Sequence, residues 1–521
     1  MTLTILRKTV ARKFRRDKQM ASADRVARPF SLDWVAEFLP HYTTVGASRF
    51  HEELVADLAA MHTVRGQRRI YRGPRGSGKT SYLSKAYPLW AALEGVEPLT
   101  LLLAETGPGQ AEAYLNAIKA ELETNPKIRA AYPHAAGIGP RWTHDTATLR
   151  NGCTIKAKGS GGRMLGMAEK SVRPTLVIGD DLNARSDGYS PTLRTRRLHW
   201  FNTDVMSIGT LAHTNFVIAG TAIHRDAVVC ALAREGAWTT RAYTAIAEWP
   251  ENMGLWDEWE KIYSNLAIDD RSKKALEFYA QHRAEMDAGA EVLWPEWESL
   301  YDLMVHRATI GPGAFDSEKQ DRPGTDGATE FPSDWFDKQG LMFDSWPGNP
   351  VIKVVVCDPS KGTDAKAGDY QAIGQLALYP DGVIYADMSL RREPVTTMAE
   401  RFVLTAKDWG VTSMAIETNG TLGLIQPEVI RAMKDAKFMA DFVGITNTLS
   451  KGARIRRLGG RLSGGRFRFR STPGGKELVE QLRQFPSGDH DDGPDCLELG
   501  QRLIEDIMNG KHVPTKYGGG R

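Results

Sequence analysis

Eight consecutive residues at 73–80, Gly-Pro-Arg-Gly-Ser-Gly-Lys-Thr, constrain this chain more than any other stretch. A G-x4-G-K-T loop works only between the end of a strand and the start of a helix, because its backbone amides must converge on an anion at a helix N-terminus. Both flanks suit it: 67–72 has an apolar centre, Ile70 and Tyr71, that reads as a strand, and 80–93 reads as a helix. The chain is therefore expected to build an α/β sheet around a nucleoside triphosphate site. There Gly73, Arg75, Gly76, Ser77, Gly78, Lys79 and Thr80 would contact ATP, with Lys79 on the β and γ phosphates and the Thr80 hydroxyl on Mg²⁺.

Such a loop needs acids on a second strand. Residues 175–181, TLVIGDD, are an apolar run ending in two. Asp180 is expected to hold the Mg²⁺ through water and Asp181 to orient the attacking water; two acids capping a strand end is the plainer reading. Many ATPases built on such a loop carry Glu at the second position, and Asp181 is shorter. Segments 101–105 and 216–221 read as further strands, and the latter, FVIAGT, suits sensing of a γ-phosphate. Between them the Gly-rich basic loop 156–166, KAKGSGGRMLG, offers Arg163 as a charge-stabilising arginine, with an exposed loop arginine as the alternative. Arg75, inside the phosphate loop, is the other candidate.

With 521 residues the chain exceeds one ordinary core, so two domains of roughly 150 to 250 residues are expected. Its 41% hydrophobic and 25% charged residues and mean hydropathy of -0.37 fit a water-soluble protein. No apolar run approaches the roughly 20 residues that cross a bilayer. The opening MTLTILRKTV lacks a secretory pattern, so a cytoplasmic protein with no membrane partner is expected. Cys153, Cys230, Cys357 and Cys496 are widely spaced without a CxxC pair and read as buried thiols. A net charge of +3 makes local clusters the informative quantity. Residues 1–30 hold nine Lys or Arg against Asp17 and Asp24, and 451–470 hold eight with no acid.

Strand and helix patterns alternate to about residue 310, and a polar Gly- and Pro-containing stretch at 311–327 interrupts them. Beyond it, 351–357, VIKVVVC, reads as a buried strand delivering Asp358. Strands at 372–378 and 383–388 flank the turn Pro380-Asp381-Gly382, a helix covers 396–409, and a strand at 413–416 ends in Glu417. The last helix, 494–508, follows GDHDDGPD, with Asp489, His490, Asp491, Asp492 and Asp495. Three antiparallel strands, helix, strand and final helix, with acids on the first strand, the fourth strand and the last helix start, is the ribonuclease H order. Carboxylates gathered so closely repel unless cations sit among them. Two Mg²⁺ or Mn²⁺ about 4 Å apart would activate water and stabilise the leaving oxygen of a phosphodiester. Which of Asp491, Asp492 and Asp495 join Asp358 and Glu417 stays open, as does the part of His490. In the RFRFR strand pattern Arg466, Arg468 and Arg470 share one face and Phe467 and Phe469 the other. With Arg454, Arg456 and Arg457 they are expected to track a double-stranded DNA backbone without reading its sequence.

Taken in order, RGPRGSGKT (72–80), RPTLVIGDD (173–181), AGTAIH (219–224), CDPSKG (357–362), IETNG (416–420) and HDDGPD (490–495) resemble the large terminase subunit of tailed double-stranded DNA bacteriophages, over roughly 45–510. The resemblance implies an N-terminal P-loop ATPase domain of the ASCE type and a C-terminal ribonuclease H-like nuclease domain. The boundaries are then a basic arm at 1–45, the ATPase domain at 46–310, a linker at 311–345, the nuclease domain at 346–510 and a flexible tail at 511–521. It further implies a ring on the procapsid portal protein that drives DNA inward on ATP hydrolysis, cuts concatemers and works with a small terminase subunit. Such a protein belongs to the host cytoplasm, is transiently at the portal, and is not expected in the mature virion. By this likeness Asp358, Glu417 and Asp491 or Asp492 would ligate metal, and Arg75 or Arg163 would act on the nucleotide. Two other classes stand beside it. A helicase-nuclease of repair or recombination would show a second helicase core. A non-catalytic prophage assembly factor would not be expected to retain Lys79, Thr80, Asp180, Asp358 and Glu417.

Overall fold

The computed structural model describes residues 27–105, 109–164, 167–168, 172–184, 187, 190–323, 330–337, 339–359, 370–418, 422–486, 488 and 490–511. Most of the basic arm, the last three residues of CDPSKG, the last two of IETNG, Asp489 and nearly all of the tail lie outside the described residues. The chain divides into two compact units at Thr244 and Ala245. That division precedes the boundary expected at 310, and the helix Pro312–Lys319 occupies the start of the expected linker. The reason is packing: Trp256, Trp259, Tyr279, Leu303 and Phe315 form one aromatic-rich core, which the second unit contains.

The first unit is a mixed sheet whose strands are β1 (Arg68–Arg72), β2 (Leu99–Ala104), β3 (Arg141–Thr143), β4 (Thr146–Thr148), β5 (Thr154–Gly159), β6 (Leu176–Asp180), β7 (Asn215–Gly220) and β8 (Thr239–Ala242). They lie in the order β3-β4-β5-β2-β6-β7-β1-β8. The six from β5 to β8 run parallel, and β4 and β3 extend the edge antiparallel. Strands β2 and β7 are buried throughout, as a parallel sheet covered on both faces requires. Leu101, Leu103, Phe216 and Ile218 point to one face and pack on Trp200, Phe201 and Val228. In the sheet β7 lies between β1 and β6, so the loop after β1 and the Asp180-Asp181 pair sit two strands apart at the same, C-terminal end of the parallel strands.

In the second unit a small antiparallel pair, β9 (Ile246–Glu248) and β10 (Glu291–Val292), accompanies a seven-stranded sheet. The sheet comprises β11 (Met342–Phe343), β12 (Ile352–Asp358), β13 (Gln371–Leu378), β14 (Ile384–Arg391), β15 (Ser413–Glu417), β16 (Asp441–Ile445) and β17 (Phe467–Arg470), ordered β11-β17-β14-β13-β12-β15-β16. β13 is antiparallel to β12 and β14, whereas β15 is parallel to β12 and β16 to β15. Alternation along each strand feeds two cores. Val354 and Val356 face the helices Pro473–Gln484 and Asp492–Met508, while Val355 and Cys357 face Val395–Trp409 and Leu422–Asp435. No helix among the described residues is long and apolar enough to cross a membrane.

Candidate active sites

Where β1 ends, the chain turns through Gly76 and Gly78 at φ of 86° and 78°, left-handed backbone that glycine adopts without a Cβ penalty. A Cβ on Gly78 would also lie 2.9 Å from Nε2 of His51. The loop leads into a π-helical stretch, Thr80–Ala86, continued by the α-helix Tyr87–Glu94. Lys79 is buried and its Nζ donates to the carbonyls of Gly73 (2.8 Å) and Pro74 (2.6 Å), so the amine is held inside the curl of the loop. The Ser77 hydroxyl is buried with no hydrogen-bond partner among the described residues. Arg75 is exposed at the tip.

Asp180 ends β6 at 1% exposure and faces the loop helix. The Ser84 hydroxyl donates to its Oδ2 at 2.8 Å, whereas Oδ1 is buried without a partner among the described residues. Burial, then the charge of Asp181, push its pKa up to about 6, with Thr80, Ser84 and Lys79 opposing. Asp181 follows with φ of 43°, a left-handed conformation that costs a non-glycine residue roughly 1 kcal/mol or more. Its Oδ1 accepts from the Thr221 amide at 3.1 Å, which ties the end of β7 to the acid pair. An orphaned carboxylate oxygen and an orphaned hydroxyl beside a lysine-filled amide loop fit a nucleotide with its Mg²⁺.

Three residues that sequence reading passed over join this site. Glu105, just past β2, has its pKa raised by burial and by Asp181 and Asp187, with Arg75 and Arg197 opposing. An apolar strand ending in an acid, the pattern recognised at 175–181, was the available signal. Tyr114 hydrogen-bonds Gln110 at 3.0 Å, and burial and Asp180 raise its pKa. His51 accepts the Ser48 amide at Nδ1 (3.0 Å), which places the proton on Nε2 for donation to the Ser77 carbonyl (2.9 Å). No motif in the sequence marks His51. Of the two candidate arginines, Arg75 shares the charge field of Glu105, whereas Arg163 is exposed and lines a cleft of about 500 Å³ with Met164, Arg173, Thr203 and Asp204.

Strand parity assembles the second site. Asp358 lies on the same face of β12 as Val354 and Val356, and Glu417 on the same face of β15 as Ala415; that is the face covered by the helix Asp492–Met508. The helix lies close because Gly374 and Gly500 leave room: Cβ atoms there would stand 3.3 Å from Cys496 Sγ and 2.4 Å from Leu376 Cδ1. Asp495 in its first turn thereby meets the two strand-end acids, with ligand oxygens of Asp358, Glu417 and Asp495 all within 4.8 Å of one another. Burial raises the Asp358 pKa well above the usual carboxylate range, and Asp495 and Glu417 raise it further. Burial raises that of Asp495 too, against Arg454. Hard oxygen donors under mutual repulsion fit a divalent cation such as Mg²⁺ or Mn²⁺.

Asp491 and Asp492, the first choices by resemblance, are placed otherwise. Lys451 Nζ lies 2.7 Å from a carboxylate oxygen of each, and Asp492 Oδ2 also accepts from the Tyr370 amide at 3.0 Å. Helix phase explains this: Asp491 is the N-cap and Asp492 the first residue, one turn before Asp495. His490 stacks edge-on against Tyr370, ring centroids 4.8 Å apart, and its Nδ1 is buried with no partner among the described residues.

The basic cluster that looked free of acids in sequence meets them in space. Arg454 is buried, its Nε donating to Asp495 Oδ1 at 2.8 Å. Arg456 donates to Glu330 (2.8 Å), Arg457 to Glu498 (3.2 Å) and Arg470 to Asp387 (3.2 Å). Arg466 bonds the carbonyls of Asp381 and Lys261, and Arg468 those of Gly465 and Phe467. Phe467 and Phe469 are buried, as the alternation of RFRFR requires.

No family model matches the chain, and no curated protein matches it. Solved structures give weak likenesses. The nuclease domain of the large terminase subunit gp2 of bacterial virus Sf6 aligns at 11% identity over 36% of this chain and 100% of that one, TM-score 0.23. RuvC of Thermus thermophilus aligns at 12% identity over 31% and 99%, TM-score 0.21. The Phi-28 gp11 DNA packaging motor aligns at 8% identity over 84% and 94%, TM-score 0.24. Likenesses of this strength decide neither fold nor function, which rest on the strand order and side chains above.

Proposed function

We propose that the chain is the ATP-hydrolysing, DNA-cutting subunit of a viral DNA-packaging motor, with a P-loop ATPase in its first unit and a ribonuclease H-like, metal-dependent nuclease in its second. The observation that carries this is the presence in one chain of both a lysine-filled phosphate loop facing strand-end acids and a buried triad of carboxylates within 4.8 Å. The strand arrangements support it: one strand between the loop strand and the acid strand is the ASCE pattern, and β14-β13-β12-β15-β16 with only β13 reversed is the ribonuclease H pattern.

In the first unit the loop amides and Lys79 would bind the β and γ phosphates, Thr80 and Asp180 would hold Mg²⁺, and Asp181 would orient water. Asp181 is suited to this because Thr221 fixes one of its oxygens and leaves the other available. Arg75, exposed at the loop tip, is the better placed arginine. In the second unit Asp358, Glu417 and Asp495 would hold the metal, which when bound supplies an activated water and charge stabilisation for phosphodiester hydrolysis. Double-stranded DNA is the proposed substrate, and the portal protein, a small terminase subunit and further copies in a ring are the proposed partners.

The test is a crossed assay on the purified full chain, measuring ATP hydrolysis and Mn²⁺-dependent cutting of supercoiled plasmid for wild type, Lys79→Ala and Asp358→Ala. Each variant should lose one activity and keep the other. Strand separation by the wild type would instead point to a helicase-nuclease, and neither activity in any sample would sink the proposal.

A further inference from the structure

The carboxylate centre contains a cation of its own. Arg454 sits on the short helix Lys451–Arg456 with its side chain 6% exposed. Its guanidinium forks over Asp495, Nε to Oδ1 at 2.8 Å and Nη2 to Oδ2, so both oxygens of that acid are engaged. The same Nη2 lies 3.6 Å from Glu417 Oε1, and Nη1 donates to the Leu449 carbonyl at 3.0 Å, which anchors the fork from behind. The guanidinium thus spans the Asp495–Glu417 edge of the triad, and among the described residues no ion pair covers the Asp358–Glu417 edge. One turn earlier Lys451 faces Asp491 and Asp492, so the neighbouring acids are already paired.

The geometry points to Arg454 as a fixed substitute for the second cation, so that this nuclease centre takes one divalent ion, on the Asp358–Glu417 side. The inference rests on the nuclease reading of the site and revises the expectation of two ions there. Three carboxylates carry three negative charges; the guanidinium cancels one and a single divalent ion cancels the remainder. A second divalent ion on the Asp495 edge would meet the guanidinium at contact distance and compete with a bidentate, charge-assisted pair. Arg454 acts on the reaction through Asp495, so it is a positioning residue: it holds that acid by a rigid fork that a lysine cannot reproduce.

The test is Mn²⁺ binding to the full chain without nucleotide, by titration calorimetry and by the electron paramagnetic resonance signal of free Mn²⁺. The number of ions bound at the centre is the number lost in the Asp358→Ala/Glu417→Ala double variant, which removes a ligand from both edges of the triad. Wild type should bind about one such ion, Arg454→Gln about two, and Arg454→Lys, which keeps the charge, about one. Circular dichroism of each variant checks folding, and the Lys variant keeps the inference testable should the Gln variant unfold. Two such ions in wild type, or in Arg454→Lys as in Arg454→Gln, would overturn the role of Arg454 while leaving the metal site standing. No such binding in wild type would overturn the site itself.

Discussion

The phosphate loop and the carboxylate centre both lie where strands of a mixed sheet end in acids, but they are built from different material. The loop is one contiguous segment that shapes itself: glycine dihedrals curl it, and Lys79 bonds the carbonyls of Gly73 and Pro74. The centre has no local shape of its own. Asp358, Glu417 and Asp495 come from three distant elements, and they meet because of strand parity, a close helix and a compensating guanidinium. A backbone-made site depends on what braces its loop; a side-chain-made site depends on charge balance and on the seating of the element that delivers the last ligand.

The sharpest way to break that comparison is to remove one charge from each site. Asp358→Ala is expected to lower Mn²⁺-dependent cutting by about 10³-fold or more, the scale on which loss of a preorganised electrostatic group acts, and to leave ATP hydrolysis intact. Lys79→Ala should lower ATP hydrolysis by about 10²- to 10³-fold and leave nucleotide-independent cutting intact. Plasmid assays and phosphate release read the two separately. A variant that abolished both activities would mean that the sites are not independent as built.

A second contrast lies in pH. His51 braces the loop through Ser77 and is fully buried, and burial pushes its pKa down to about 4. The ordinary imidazole value is about 6.5, so above it folded and unfolded chains both hold a neutral ring. As pH falls from about 6.5 towards 4, the unfolded chain takes a proton that the folded one refuses, and stability is lost over that window, by up to roughly 3 kcal/mol. Urea unfolding of the wild type between those values should show the loss, and His51→Gln should flatten it. An equal slope in the variant would assign the acid sensitivity to other groups.

What could be read from the sequence follows the same division. Residues 73–80 and the acids of 175–181 were readable because each is a local pattern tied to one strand end. The strand order behind Asp358 and Glu417 was readable as well, since alternation and turn residues mark β12 to β15. The choice among Asp491, Asp492 and Asp495 was not, because it depends on where the last helix starts and which turn faces the sheet. The partners of the arginines of 451–470 were not readable for a related reason: their acids come from Glu330, Asp387, Asp495 and Glu498, none of them within the cluster. His51 and Arg454 carry no motif, since what each does is set by a partner far away in sequence.

The smallest expected effect tests the seating of that last helix. Gly500 lies within Asp492–Met508 where a Cβ would stand 2.4 Å from Cδ1 and 3.1 Å from Cγ of Leu376, itself fully buried in β13. Gly500→Ala gains about 1 kcal/mol of helix propensity. Overpacking of this kind costs about 1–3 kcal/mol, so the net loss should be near 1 kcal/mol. The cheapest relief is for the helix to lift from β13, which carries Asp495 away from Asp358 and Glu417. Cutting should therefore fall several-fold, more than the stability change alone suggests, while ATP hydrolysis stays at the wild-type rate. Pairing the change with Leu376→Val, which shortens the obstructing side chain, should recover part of the cutting. Wild-type cutting by Gly500→Ala alone would show that the centre tolerates movement of the helix, and would make it less dependent on close packing than the comparison with the phosphate loop requires.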